Sequence, residues 1–202
     1  MTTTPNPISN FGEASPGLRG RRILHIGRLA HQKGQDILLR AFALVVPQAP
    51  QWRLAILGEG EDAEMLQCQA RQLAVTDHID WLGRVNDPKP HCLDSAIFAL
   101  PSRFEGTPNA LLEAMAAGLP AVITDASPGP LEYVEDGKTG IVVPVDNASS
   151  LADALLRAGY QAPDIFFLTE IPNFENLGFE PYPRRDEFIH DGDEILFHWL
   201  EQ

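Results

Sequence analysis

Two carboxylates eight positions apart, Glu105 and Glu113, carry the clearest chemical signal in this 202-residue chain. Ahead of them Ile97 to Leu100 form a short apolar run suited to a buried strand, ended by Pro101. Thr107 reads as an N-cap and Pro108 as the first helical residue. Ala110, Leu111, Ala114, Met115 and Ala116 then supply an apolar helical face, stopped by Gly118 and Pro120. A helix starting at a strand's carboxyl end leaves backbone N–H groups free, here expected at Asn109 and Ala110, where an anion can sit. Glu105 precedes the cap and Glu113 lies more than one turn inside, so the two acids can reach different ends of one ligand. That pattern suits a phosphate-bearing, hydroxyl-rich molecule. Paired carboxylates can also act as acid and base in glycoside hydrolysis. An acid held in a helix beside a phosphate site favours hydroxyl binding instead.

Cations that could meet such a phosphate lie far upstream. Arg28 follows the apolar run Arg22–Gly27, and Lys33-Gly34 opens the next helical stripe. Two cations and a helix start at one strand end would hold a pyrophosphate and offset its charge as a bond to it breaks. Taken alone, the same residues read equally well as a solvated surface loop. Gly58-Glu59-Gly60-Glu61-Asp62-Ala63 formally satisfies the dinucleotide fingerprint G-x-G-x-x-A, with Asp80 near the distance of a ribose-binding acid. Acids at 59, 61 and 62 would repel a pyrophosphate, so a tight turn is the better reading. His25 sits in an apolar run as a core histidine, and His31 lies near the cations without an assigned role. No Ser-His-Asp or Cys-His arrangement is legible, and the histidines show no metal-ligand spacing.

These residues need elements to position them. Strands are expected at Arg22–Gly27, Trp52–Gly58, His78–Leu82, Ile97–Leu100, Pro120–Thr124 and Gly140–Val143. Helices are expected from Gly34 to about Pro47, and over Asp62–Val75, 108–117, Gly129–Glu135 and Ser149–Arg157. The stretch holding Pro88 and Pro90 reads as irregular. Alternation at this spacing means βαβ units: an α/β, Rossmann-like, doubly wound parallel sheet of about six strands with helices on both faces. Ligands of such sheets bind at the strands' carboxyl ends. The informative loops sit there: Gly27-Arg28, Gly58 to Gly60, Gly83-Arg84 and Arg103 to Asn109.

The composition is that of a soluble globular protein, and a net charge of −13 argues against nucleic acid as a partner. No apolar run is long enough for a spanning helix, and the polar N-terminus lacks a signal-peptide core. Cys68 and Cys92 make no metal spacing and are expected as free buried thiols of a reducing cytoplasm. Residues 1–158 carry 18 acids against 13 bases, whereas residues 159–202 carry 10 against 2 and hold nine of the 16 aromatics. Three segments follow: a linker-like 1–20, an α/β domain over 21–158, and an acidic, aromatic-rich tail over 159–202. Within that tail Ile195, Leu196, Trp199 and Leu200 stand at helical spacing.

The ordered set of motifs resembles the family 4 glycosyltransferases. It comprises Gly27-Arg28-Leu29 with Lys33-Gly34, Leu57 to Gly60, Leu82-Gly83-Arg84-Val85, Pro101 to Asn109, Glu113 to Pro120, and Gly137-Lys138-Thr139-Gly140 with Val143-Pro144. The resemblance spans about residues 20–157. It implies a retaining enzyme of the GT-B fold using a UDP- or GDP-sugar, with no catalytic metal or other cofactor. By the same resemblance Arg28, Lys33 and Glu105 are the catalytic residues. Arg28 and Lys33, beside Gly27, would bind the donor diphosphate, and Glu105 would bind the donor sugar's hydroxyls. Glu113 would take the ribose, main-chain groups of Gly83, Arg84 and Val85 the base, and the segment Gly106, Thr107, Pro108, Asn109 and Ala110 the phosphate.

The resemblance covers the second, donor-binding half of that fold, without its acceptor-binding half. Transfer needs donor and acceptor held together with water excluded. The chain alone is therefore expected to bind a nucleotide sugar weakly and to transfer little. A glycan or lipid-linked acceptor would come only with an acceptor domain, which a separate chain could supply. The expected location is cytoplasmic, with any approach to the inner membrane made through that other domain. Alternatives are a noncatalytic nucleotide-sugar-binding partner, or a sugar-nucleotide epimerase of the same fold. The tail suggests either a junction with foreign sequence or a docking segment.

Overall fold

The computed structural model describes residues 20–165, 187–191 and 194–198, with side chains over 20–159. Six strands form one sheet: β1 (Arg22–Ile26), β2 (Arg53–Leu57), β3 (Ile79–Gly83), β4 (Ile97–Leu100), β5 (Ala121–Thr124) and β6 (Gly140–Val143). Every neighbouring pair is parallel, and the order is β3-β2-β1-β4-β5-β6. The chain thus winds outward from β1 in one direction, then crosses back to β4 and winds outward in the other. The two windings diverge between β1 and β4. In open α/β sheets such a switch point opens a ligand crevice at the carboxyl ends.

Alternate strand residues feed two cores. Ile23, Leu54, Ile56, Ile97, Ala99 and Val122 face α1 (Gln35–Val45), α2 (Ala63–Gln72) and α6 (Ala148–Ile165). Leu24, Ala55, Leu57, Phe98, Leu100 and Ile123 face α3 (Lys89–Leu93) and α4 (Asn109–Ala116). Burial on both sides explains why the central strands read as continuous apolar runs rather than as alternating ones. Phe42, Leu38 and Leu39 of α1 are completely enclosed. At roughly 1.5–3 kcal/mol for each buried large side chain, these two layers supply most of what holds the sheet together.

Several local expectations are corrected. The irregular stretch around Pro88 and Pro90 contains α3, because both prolines fall at the helix start, where the missing N–H costs nothing. The expected helix Gly129–Glu135 is shorter and earlier, α5 over Pro128–Leu131. Helix α2 ends at Gln72, and Ala74 takes a left-handed conformation (φ 55°) as the chain turns toward β3. Cys92 is buried as expected, but Cys68 lies exposed on α2.

Helix α6 continues beyond Arg157 to Ile165, so the composition shift at Ala158 falls inside it. Gly159 makes this possible, since a Cβ there would lie 2.7 Å from the Trp52 ring. Helical spacing misleads in the tail. Glu194–His198 forms strand β8, paired antiparallel with β7 (Glu187–Asp191), Asp191 opposite Glu194. The intervening pair is Gly192-Asp193, a sequence signal for a two-residue hairpin loop. Residues 1–19 of the expected linker, the stretch 166–186, and Trp199 with Leu200 lie outside the described residues.

Candidate functional site

Gly34 begins the site. It sits at φ 68° as the N-cap of α1, and a Cβ there would fall 2.0 Å from the Pro101 carbonyl oxygen. Only glycine lets the α1 start approach the end of β4 this closely. The approach brings the β1 loop and the β4 loop together across the switch point. There Lys33, in a 3-10 turn over His31–Lys33, reaches over and donates from Nζ to Glu105 Oε1 at 2.7 Å.

Glu105 is only 6% exposed, and the fold secures it from several sides. Ser102 Oγ donates to the same Oε1 at 2.6 Å. Ser127 Oγ accepts the Glu105 N–H (3.1 Å) and donates to the Glu105 carbonyl (2.6 Å). Thr124 Oγ1 donates to the Ser102 carbonyl, tying the loop to β5. Glu105 Oε1 is thus already engaged by a lysine and a hydroxyl. With that oxygen taken by fold contacts, Glu105 is badly placed to hand a proton to a leaving group, which argues against the hydrolase reading.

Behind Lys33 lies a buried polar relay. His25, wholly enclosed in β1, donates from Nδ1 to the Ala99 carbonyl at 3.0 Å. Its Nε2 accepts from Gln35 Nε2 at 3.0 Å, and that amide also donates to the Arg28 carbonyl at 2.8 Å. This pattern demands the neutral imidazole. Burial, opposed by the Ala99 hydrogen bond and assisted by the nearby Lys33 charge, lowers its pKa to about 4. His25 is thus the satisfied core histidine expected, and through Gln35 it sets the carbonyl of Arg28. A Cβ on Gly27 would press on the same imidazole, 3.2 Å from Nε2.

Arg28 itself projects outward, mostly exposed, with its guanidinium 3.9 Å from Glu61. The glycines at 58 and 60 prove to be packing devices. Gly58 has φ 141°, and a Cβ on it would strike the Gly27 carbonyl at 1.9 Å; one on Gly60 would strike that of Leu29 at 2.2 Å. Leu29 N–H bonds to the Glu59 carbonyl, so this turn braces the Arg28 loop. Asp80 is held by Arg53 Nε at 3.0 Å, and that hydrogen bond, outweighing the effect of burial, keeps its pKa below the ordinary carboxylate value. The dinucleotide reading loses both its glycines and its acid.

The α4 start differs in detail from expectation. Pro108, not Thr107, is the N-cap: its ψ of 82° keeps it out of the helix, while its carbonyl accepts from the Leu111 and Leu112 amides. The Asn109 amide, expected to be free, bonds to the Thr107 carbonyl at 3.1 Å. Gly106, Thr107 and Asn109 are exposed and Ala110 half-buried. Glu113 is half-buried, and burial first, then the charge of Asp87, raise its pKa. Asp87 follows β3 in the same stretch as Gly83 (φ 63°), exposed Arg84 and half-buried Val85. The structure thus joins Lys33 to Glu105 directly, while Glu113 feels the charge of Asp87 after β3.

Sequence reasoning gave no role to Gln35, Asp36, Ser127 or Asp146. Gln35 and Asp36 are polar residues opening an otherwise apolar helix, which was the available signal. Arg103 spans between loops: its Nη1 and Nη2 reach the Asp36 carboxylate at 2.8 and 2.9 Å, Nη1 the His31 carbonyl at 2.6 Å, and Nε the Asp146 carboxylate at 2.7 Å.

Comparison with known proteins agrees with this geometry. The family described as "Glycosyl transferases group 1" matches residues 13–159. An uncharacterized glycosyltransferase of Haemophilus influenzae is 36% identical over 138 residues, covering 68% of this chain and 39% of the relative. The lipopolysaccharide core biosynthesis mannosyltransferase LpcC of Rhizobium leguminosarum is 34% identical over 160 residues, covering 76% and 44%. Among solved structures, Anabaena HepE in complex with UDP and glucose superposes with a TM-score of 0.66 at 25% identity, covering 72% of this chain and 40% of that one. The chain therefore spans less than half the length of each of these three proteins. A six-stranded parallel sheet with this strand order, and a family match over most of its length, place the chain in the glycosyl transferases group 1 family.

Proposed function

We propose that residues 21–158 are the donor-binding half of a retaining, family 4 GT-B glycosyltransferase that takes a UDP- or GDP-sugar. The observation that carries this reading is the Lys33–Glu105 pair at the β1/β4 switch point. A donor there needs a cation for its diphosphate and an acceptor of sugar hydroxyl hydrogen bonds. The crevice provides both within one contact. An ammonium has three donors, so Lys33 can keep Glu105 and still hold a phosphate oxygen. Arg28, exposed at the mouth, would close on the diphosphate from outside and exchange its weak contact with Glu61 for a stronger one.

In this reading the two cations neutralise charge on the leaving diphosphate as the sugar–oxygen bond breaks. Glu105 orients the sugar ring through its hydroxyls. The Glu113 carboxylate takes the ribose, main-chain groups of Gly83 to Val85 take the base, and Gly106 to Ala110 line the phosphate. The acceptor would be a glycan or lipid-linked sugar, supplied through a second domain, in the cytoplasm or at the inner membrane face. Among the described residues no helix is long and apolar enough to cross a membrane. HepE, with UDP and glucose bound, supports the donor class, and a mannosyltransferase among the relatives is in keeping with a sugar-nucleotide donor.

Calorimetric titration of the purified chain with UDP, GDP and NAD tests the reading. UDP or GDP should bind and NAD should not. A response to NAD without one to UDP or GDP would overturn the assignment.

A further inference from the structure

We propose that Arg103 is a positioning residue for the diphosphate end of the site: its guanidinium locks the turn carrying Lys33 onto the loop carrying Glu105. This inference rests on the donor-site reading above and adds a residue to it. Two segments, following two other strands, converge on this one side chain of the β4 loop. From the segment after β1 come Asp36, in the first turn of α1 and gripped by both terminal nitrogens, and the His31 carbonyl. From the β6–α6 loop comes Asp146, held in a left-handed conformation at φ 58° while it receives Nε. The backbone of the β4 loop joins in, since the Arg103 N–H bonds to the Gln32 carbonyl at 2.8 Å and Gln32 Nε2 returns to the Phe104 carbonyl at 2.9 Å.

Lys33 stands between the clamped points, His31 and Gln32 before it and Asp36 after it. Glu105 stands two residues from Arg103. The guanidinium and the Asp36 carboxylate are mostly buried. A planar fork that makes two parallel bonds fixes direction as well as distance, which a lysine in its place would not. Burial pushes the Asp36 carboxyl up, but the Arg103 hydrogen bonds and charge prevail, so Asp36 stays ionised to lower pH than usual. The clamp touches neither the loop after β3 nor Glu113. It should therefore govern diphosphate binding and leave nucleoside binding alone.

The experiment compares Arg103→Gln and Asp36→Asn with the parent chain, titrating uridine, UDP, guanosine and GDP by calorimetry. The expected result is a loss of about tenfold or more in diphosphate affinity, roughly 1.4 kcal/mol, with nucleoside affinity within about twofold of the parent. Equal losses for nucleoside and diphosphate would show a general structural role and overturn the proposal. So would no loss for either. If the parent chain binds none of the four, the donor-site reading fails, and the clamp is judged on Lys33 itself. Held against Glu105, its ammonium should give a protected nitrogen resonance that both variants lose. A resonance unchanged in both variants would overturn the proposal without reference to any nucleotide.

Discussion

Lys33 and Glu105 make opposite demands on the protein. Paired, they satisfy each other in a site where Glu105 is almost wholly desolvated. Separated, each is a liability, because removing one partner of a buried pair strands the other. Lys33→Met should therefore destabilise the chain by about 2–3 kcal/mol, and adding Glu105→Gln should restore most of that loss. Urea unfolding of the two singles and the double measures this coupling; additive effects would mean that the pair contributes nothing. Glu113 is the converse case. Half-buried, beside Asp87, and without a hydrogen-bond or ion-pair partner among the described residues, its carboxylate is held at a cost that raises its pKa. Glu113→Gln should raise the melting temperature by about 2 °C or more while weakening UDP or GDP binding. A variant that binds normally would remove Glu113 from the ribose site.

At the scale of elements, the crevice depends on how close α1 comes to β4. Gly34 and Gly137 both have positive φ, at 68° and 76°, but only Gly34 faces a backbone atom; a Cβ at Gly137 meets nothing within 4 Å. Gly137→Ala should cost only the left-handed penalty, about 1–2 kcal/mol. Gly34→Ala adds the clash with Pro101 and should cost more than that while lowering nucleotide affinity, because the Lys33 turn must move. Thermal unfolding and calorimetry on the two variants separate the terms. The elements themselves were largely legible in the sequence, since a strand buried on both faces must be apolar throughout and a helix covering it must repeat every three to four residues. Lys33, Glu105 and Glu113 were legible as site candidates by type and position. The Pro108 cap, the bonded Asn109 amide and the α3 helix were not, because each is decided by where a neighbouring carbonyl or wall happens to lie. The partners of Asp36 and Ser127 were invisible for the same reason, since Arg103 and Glu105 are distant in sequence; Asp36 stood out only as a polar residue at a helix start. The tail shows the reverse error. Ile195 and Leu196 fit a helical repeat, yet antiparallel pairing with β7 places them in a strand.

For the whole molecule, the buried relay behind the site predicts an acid-labile fold. His25 ionises near its ordinary value of 6.5 in the unfolded chain but only at about 4 when folded. The unfolded state therefore binds the extra proton over that interval, and stability falls as pH falls. The full contribution is present above pH 6.5, declines between 6.5 and about 4, and is gone below. A shift of this size corresponds to about 3 kcal/mol. That is a large part of the roughly 5–15 kcal/mol that holds a typical domain. Protonation would also end acceptance by Nε2 from Gln35, releasing the carbonyl of Arg28, so the site should loosen before the sheet does. Urea unfolding at pH 7.5, 5.5 and 4.5 should show this decline, and the His25 ring resonances should stay in the neutral form down to about pH 4. Titration of His25 itself near 6.5 in the folded chain would mean that water reaches the relay, and the decline would have to come from other groups. Asp36 works in the same direction further into acid, since its depressed pKa means its contribution to the loop clamp is present above the ordinary carboxylate range and lost as pH falls through the folded value.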